Sequence, residues 1–396
     1  MKKKTKKTVA FVSAITLDQD DELLFGIMDY AREKRNFIIN RITPEKVAKG
    51  CSFTDTDGII RGLASKECVD RLKTTGLPII DLTGQSLDDP AVISADTDVR
   101  KAGIMAAERL LQRGFSNFAF YAVSVIGNAF CEKLGAVFAS RIAKSGFKCS
   151  VFKQDWFAKY DTDSADDKRE KEFYAACDKF LASLPAQTAV FCNNDSAASI
   201  ILQRCLHLGK SVPKDIAILG MNNNKRTCTC SSVTLSSIDP NLRKLGYAAM
   251  RILDSAINHP VKPKRRRPFL VPPMGVVERE STAIYPVDPP WLADALSLID
   301  TDMSRPLSPT DLANAARVST TTLQSAFHKV FGTSAGQYIL AAKMREAKRL
   351  VEEGKLSIKE ISAKAGFESQ NYFARAYRKH YGHPPSIDRP PAGKCR

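Results

Sequence analysis

The chain has 396 residues, 44% of them hydrophobic, 8% aromatic and 26% charged, too long for one ordinary core and apolar enough to fill two or three domains. Its 59 Lys and Arg against 43 Asp and Glu leave a formal charge of +16, which favours an anionic partner such as nucleic acid and constrains partners rather than fold. The ten cysteines have neither metal-ligand spacing nor a disulfide framework, Cys228 and Cys230 forming a lone CxC, and no apolar run approaches the roughly 18 to 20 residues that span a bilayer.

In chain order, the tail MKKKTKK (1–7) opens the sequence and a second basic cluster, VKPKRRRPF, occupies 261–269. Both read as solvated segments ahead of DNA-contacting arms. The tail and the following TVAFVSAI mimic a secretion signal, but the apolar run is short and LDQDDE stands where a cleavage region belongs, so this run is predicted as a first β-strand. Free cysteines and the absence of a leader point to a cytoplasmic protein.

From Thr8 to about Tyr285, short β-branched runs alternate with amphipathic helices. Strands are predicted at 9–15, 58–62, 77–82, 117–123, 189–193 and 216–221, with a helix such as Ala102 to Arg113 between them. The alternation implies parallel βαβ units, an α/β fold with helices on both faces of the sheet. Ligands of such sheets bind beyond the carboxyl ends of the strands. Asp18, Arg61, Asp98, Asn193 to Asp195 and Asn222 to Asn224 stand there. Each has an ordinary alternative as a helix cap or turn residue, Asp195 in particular as the N-cap of the helix that follows. No GxGxxG follows the first strand, and P-loop, GxSxG and HExxH motifs are absent, so neither a cofactor nor a catalytic apparatus is expected.

The stretch FCNNDSAASIILQRCLHLGKSVPKDIAILGMNNN, followed by SSVTLSSIDPNLRKLGYAAMRIL, and TDGII earlier, resemble the effector-binding core of LacI/GalR-type regulators. The resemblance covers about 270 residues and implies two lobes of the periplasmic-binding-protein kind around a ligand cleft. It carries ligand contacts onto Asn194, Asp98 and Asn222. The last stands where the family has a sugar-binding aspartate, and an amide offers one acceptor and one donor group where a carboxylate accepts twice. Glu132, in FCEKLG, occupies the place of a family arginine. That family carries an N-terminal helix-turn-helix, and this chain is expected to start at the first strand without one.

After STAIYPVDPP the pattern is wholly helical and contains a repeat. STTTLQSAFHKVFG (319–332) aligns with SQNYFARAYRKHYG (369–382): Leu323 meets Phe373, Ala326 Ala376, Phe327 Tyr377, Lys329 Lys379 and Gly332 Gly382. Each is preceded by a short helix and turn, DLANAARVS and EISAKAGFES, the second turn one residue longer. Two such units are helix-turn-helix layouts. In the second, Phe373, Tyr377 and Tyr381 form a stripe for the core, while Gln370, Asn371 and Arg375 lie on a face for bases and Arg378 and Lys379 on one for phosphates. The segment GFESQNYFARAYRKHYGHPP resembles the AraC/XylS-family signature, which implies two readers joined by a long helix, about Ser334 to Glu353. The resemblance gives the first unit Thr320, Thr321, Gln324, Ser325, His328 and Lys329 as contacts, and the second Ser369 beside the residues already named. Three positions depart from the family: Arg317 in place of a turn glycine, Ser325 in place of an arginine, and Asp388 before Arg389.

A LacI/GalR-like sensor fused to an AraC-type reader is the layout of XylR-type regulators. The expected domains are a basic tail at 1–7, the sensor at 8–285, a linker at 286–291 and the reader at 292–391. The expected partners are double-stranded DNA, a small polar effector of the sugar class, a second copy of the chain and RNA polymerase, with activation expected over repression and no membrane. The rival is a carbohydrate-binding or carbohydrate-modifying protein with an incidental helical domain. As an enzyme it would draw on Asp98, Glu132 and Asp195 for its acid and base.

Overall fold

The computed structural model describes residues 6–13, 18–83, 92–124, 129–155, 167–259 and 267–389. The chain begins β1 (Lys7–Val12), α1 (Asp18–Lys34), β2 (Phe37–Ile42), α2 (Pro44–Ala48), β3 (Gly58–Arg61), α3 (Lys66–Lys73), β4 (Ile79–Asp81) and β5 (Val92–Thr97). It continues α4 (Val99–Gln112), β6 (Asn117–Ser124), α5 (Ala129–Ala143), β7 (Cys149–Asp155), α6 (Asp167–Ser183), β8 (Thr188–Cys192), α7 (Asp195–His207), β9 (Ile216–Met221), α8 (Lys225–Thr229) and β10 (Ser236–Asp239). Then come α9 (Leu242–Asn258), β11 (Phe269–Val271) and β12 (Gly275–Val277).

These strands form two six-stranded sheets, ordered β2-β1-β3-β4-β5-β11 and β7-β6-β8-β9-β10-β12. Every pairing is parallel except that of β12 on β10. The central strands are buried along their whole length, as in TAVFC of β8 and IAILGM of β9, because helices cover both faces and leave no side for polar residues. The strands predicted at 9–15, 58–62, 77–82, 117–123, 189–193 and 216–221 correspond to β1, β3, β4, β6, β8 and β9. Edge strands β2 and β7 have exposed positions alternating with covered ones. In β10, Ser236 and Ser237 are fully buried; Ser236 Oγ shares a hydrogen bond with Thr282 Oγ1, and Ser237 Oγ donates to Asp195 at 2.6 Å.

The chain crosses between the two lobes three times: after β5, after β10 and between β11 and β12. Helix α9 returns to the first lobe, where Leu245, Ala249 and Leu253 join Val9, Phe11, Leu23 and Ile27 in one core. Helix α4 serves the second lobe, packing Ala102, Ala106 and Leu110 against Phe118, Phe120 and Phe138. Lys7 is already part of β1, its ammonium 2.8 Å from Asp254, so the end of the basic tail belongs to the sheet. Residues 1–5 and most of the second basic cluster, 260–266, lie outside the described residues.

The rest is helical: α10 (Leu292–Thr301), α11 (Pro309–Ala315), α12 (Thr320–Phe331), α13 (Ala335–Glu353), α14 (Ile358–Lys364), α15 (Gln370–Tyr381) and α16 (Pro385–Asp388). Ser308, Ser334 and Ser357 each close a capping box with the acid or amide three residues on, which satisfies the first backbone donors of those helices. Helix α13 is shared by two cores. Its Tyr338, Ile339 and Ala342 pack with α10, α11 and α12, and its Met344, Ala347, Leu350 and Val351 pack with α14 and α15. The second turn is one residue longer than the first, and at matched places Gly366 has φ +69° and Arg317 has φ +55°. Gly366 is confined to glycine twice over, because a Cβ would meet the Met303 and Arg305 carbonyl oxygens. Tyr285, Val287 and Trp291 lie against the first helical core, so the proline-containing connection is packed.

Candidate ligand cleft and nucleic-acid interface

The carboxyl ends of both sets of strands meet where the chain crosses, and that is where the cleft residues gather. Asp98 follows β5 and caps α4, accepting a hydrogen bond from Lys101 N at 3.0 Å, while its own N–H donates to Val271 O at 2.7 Å. Asn194 caps α7 by accepting from Ala197 N at 2.8 Å. That cap had been expected of Asp195. Asp195 instead lies inside the first turn, 2% exposed, accepting from Ser237 Oγ and from Asn224 N at 2.7 Å. Burial pushes its carboxyl up to about 6 against the pull of those donors. Asn193, 4% exposed, exchanges two hydrogen bonds with the Val123 backbone and extends the β6–β8 ladder with a side chain.

Asn222 is half-buried at the end of β9, with φ +109° and its N–H on Ile238 O at 3.0 Å. Its neighbour Asn223 is pinned between Asp239, at 3.2 Å, and Arg279, at 2.7 Å. Glu132 is exposed on the first turn of α5 and ion-paired with Lys153 at 2.6 Å. Arg61 is 1% exposed in an ion pair with the fully buried Asp81, Nη2 to Oδ2 3.0 Å. A guanidinium so enclosed braces β3 against β4. The Asp18 side chain lies outside the described residues; its backbone begins α1.

Two carboxyls that sequence reasoning passed over stand at the same strand ends. Asp20 is 1% exposed beside Ser13 and Gly62, and its Oδ2 has no hydrogen-bond partner among the described residues. Burial lifts it to about 7, with Arg41 and Ser13 pulling the other way. Asp96, in β5, is likewise raised to about 7 by burial, opposed by the Thr97 N–H and by Lys133 of the facing lobe. Asp20 was hidden as one of four acids in LDQDDE, where only its burial tells it apart.

A carboxyl raised in the folded chain favours folding below its unfolded pKa, and that contribution is lost as pH rises through the folded value. For Asp20 the window runs from about 4 to about 7. Asp20→Asn removes the buried charge, so thermal denaturation of the ligand-free chain is expected to show stabilisation of up to about 4 kcal/mol at pH 8 and little at pH 4. An equal shift at both pH values would mean that Asp20 is neutral, or ionised, throughout.

On the helical side, Thr320, Thr321, Ser325, His328 and Lys329 of α12 are exposed. Gln324 is half-buried, and its Oε1 accepts from Ala335 N at 3.1 Å, which ties α12 to the start of α13. In α15, Phe373 and Tyr377 are fully buried and Tyr381 is half-buried, its hydroxyl donating to Met344 O at 3.1 Å. Gln370, Asn371, Arg375, Arg378 and Lys379 are exposed, and the three cations form no ion pair among the described residues. Ser369 caps the helix through Tyr372 N. Tyr377 also donates to Asp388 at 2.7 Å, so the departure at Asp388 gives the buried hydroxyl an acceptor. Lys343 donates to Gly366 O at 2.6 Å, fixing the second turn on α13.

Two lobes crossed three times by the chain, followed by tandem helix-turn-helix units with free polar faces, define a transcription regulator in which a ligand-sensing domain controls a DNA-binding one. Residues 107–282 match the family described as a periplasmic binding protein-like domain, and residues 312–389 match the family described as a helix-turn-helix domain. The chain is homologous to the xylose operon regulatory protein of Escherichia coli strain K12, 27% identical over 329 residues that span 82% of this chain and 81% of that one. Among solved structures, a xylose-binding transcription activator superposes over 98% of both chains with a TM-score of 0.61 at 23% identity. A LacI-family regulator from Enterococcus faecium with bound ribose covers 70% of this chain and 99% of its own, with a TM-score of 0.53 at 21% identity. No helix among the described residues is long and apolar enough to cross a membrane.

Proposed function

We propose that this chain is a cytoplasmic transcription activator that acts as a homodimer, answers to a monosaccharide and contacts RNA polymerase from its DNA site. The observation that carries this reading is the junction of a two-lobed cleft with a tandem reader whose base-facing side chains are uncommitted. Xylose is the first sugar to try, because the relative matched over 82% of this chain is named for the xylose operon. Asn222 and Asp20 are the assigned ligand contacts, with Asp98, Asn194 and Glu132 at the rim. Gln370, Asn371 and Arg375 read bases; Thr320, Thr321, Ser325 and His328 take the lesser share, and Lys329, Arg378 and Lys379 hold phosphates. The sensor is assigned to 8–285 and the reader to 292–391. The carboxylates an enzyme would need support the non-catalytic reading: Asp98 caps a helix, Glu132 is ion-paired on the surface and Asp195 is enclosed behind Ser237.

A ligand shifts a two-state sensor only by its preference for one lobe arrangement. The test is therefore binding on both sides. A monosaccharide panel read by thermal shift should give a sugar that stabilises the parent and stabilises Asn222→Ala much less. Arg375→Ala should weaken specific DNA binding by about 1 to 3 kcal/mol and relax one base position, read by fluorescence anisotropy against specific and random duplexes. A variant that discriminates the two duplexes as the parent does would remove Arg375 from the reading face.

A further inference from the structure

Between sensor and reader lies a cleft of about 1800 Å³ that the cleft between the lobes does not include. One wall is the sensor: the end of α4, the crossing segment Pro272 to Gly275, and Lys244. The other is a stripe of α13, in which Tyr338, Arg345 and Glu352 recur every seven residues and so share one helix face. Tyr338 fixes one end, its hydroxyl donating to Gln112 O at 2.7 Å.

The charges in this cleft are unevenly matched. Arg109 pairs with Glu278, and Arg113 pairs with both Glu278 and Asp300. Arg349 is held by Glu346 and Glu353. Arg345, between them and half-buried, has no ion pair or hydrogen bond among the described residues. Burial, with Arg109 as a like charge beside it, brings its guanidinium down to about 10. His380, at the end of α15, is held below its ordinary value by burial and by Arg345 and Lys348. Of the acids in this cleft, Glu278 pulls on Arg345 while committed to Arg109 and Arg113, and Glu352 reaches Lys348 at 4.0 Å, its Oε2 without a hydrogen-bond partner among the described residues and its carboxyl raised by burial to about 7. Glu352 is therefore about half protonated near neutral pH and balances the cations only in part. Cations with too little counter-charge in a partly desolvated cleft repel one another, and an oxyanion that accepts from all of them relieves the cost.

We propose that this cleft is a second effector site, for a small phosphate-bearing molecule held by Arg345, Lys348 and His380. The three donors come from α13 and α15, one from a planar guanidinium, one from an ammonium and one from an imidazole, which suits the three terminal oxygens of a phosphate better than the two of a carboxylate. The ligand ties the second reading helix to the helix that faces the hinge, so it acts on DNA binding without entering the sugar cleft.

The test is calorimetric titration of the full chain, at constant ionic strength in chloride, with inorganic phosphate, with a monosaccharide phosphate and with the neutral monosaccharide. One site per chain for the phosphorylated probe is expected, weakened at least tenfold in Arg345→Gln and in Lys348→Gln, with neutral-sugar binding unchanged in both. Equal affinity for phosphate and sugar phosphate makes the ion itself the ligand, and tighter sugar phosphate binding adds contacts from its body; either supports the site. Absence of saturable phosphate binding, or the same affinity in both variants, overturns it. So does a loss of random-duplex binding in Arg345→Gln that matches its loss of phosphate binding, since the cations would then belong to the DNA backbone surface. Failure of the neutral sugar alone counts against the sensor reading and leaves this one standing.

Discussion

Asp81→Ala is expected to cost the sensor about 3 to 5 kcal/mol, a large share of the roughly 5 to 15 kcal/mol that holds a typical domain folded. Asp81 is fully buried, and its two oxygens have different duties: Oδ2 faces Arg61 at 3.0 Å and Oδ1 accepts from Thr83 N and Oγ1 at 2.9 and 2.7 Å. Burial drags the Arg61 guanidinium below its ordinary value and Asp81 resists that pull. Deleting the carboxylate therefore leaves a cation enclosed with its chief counter-charge gone, and the desolvation penalty falls due in full. Replacing both partners with apolar side chains of similar volume avoids this, so Arg61→Met with Asp81→Leu should recover most of the loss in urea denaturation. The double variant also separates two roles for Arg61. If it retains sugar affinity, Arg61 is a brace between β3 and β4; if it folds as the parent does and loses the sugar, the arginine reaches the ligand.

That arginine shows where sequence stops being informative. The central strands were legible because a parallel strand covered on both faces is a continuous apolar run. The readers were legible because the repeat set Phe327 over Tyr377 and Lys329 over Lys379, so spacing alone divided core from surface. Strand β10 was opaque as a core strand. Its inward residues are Ser236 and Ser237, and their burial is compatible with folding only because Thr282 and Asp195, distant in sequence, satisfy the hydroxyls while Ser281 accepts from the Ser236 N–H. At the cleft, Asn and Asp at strand ends serve equally as helix caps and as ligand contacts. Sequence placed Asp98 and Asn194 there without telling cap from contact, and put the cap one residue late at Asp195. Arg61 read as a cleft residue because nothing local announces a partner twenty positions away.

Arg113→Ala is expected to separate sensing from DNA binding. The Arg113 side chain is 4% exposed, with Nη1 2.8 Å from Asp300 of α10 and Nη2 2.9 Å from Glu278, which follows β12. It also lies over the Tyr285 ring at 4.6 Å, and that hydroxyl donates to Asp300 at 2.8 Å. Burial opposes the charge on Glu278, but Arg109 and Arg113 outweigh it and hold the carboxyl near about 2, so the cluster stays ionised across the physiological range. It joins the second lobe to the first helical core at the point where the connection enters the reader. Glu278 keeps Arg109 when Arg113 is lost, and the acids are about one third exposed, so the stability cost is set at about 2 to 3 kcal/mol, below that of a fully enclosed pair. The larger consequence is for coupling. Allosteric coupling is typically about 1 to 3 kcal/mol, and this cluster and the Tyr338 to Gln112 hydrogen bond are direct polar links between sensor and reader through which it is expected to pass. Sugar binding measured by thermal shift and DNA binding measured without sugar should both persist in Arg113→Ala, while the change in DNA affinity caused by sugar should fall at least several-fold. A variant that still transmits the full sugar effect would show that the signal leaves the sensor by another surface.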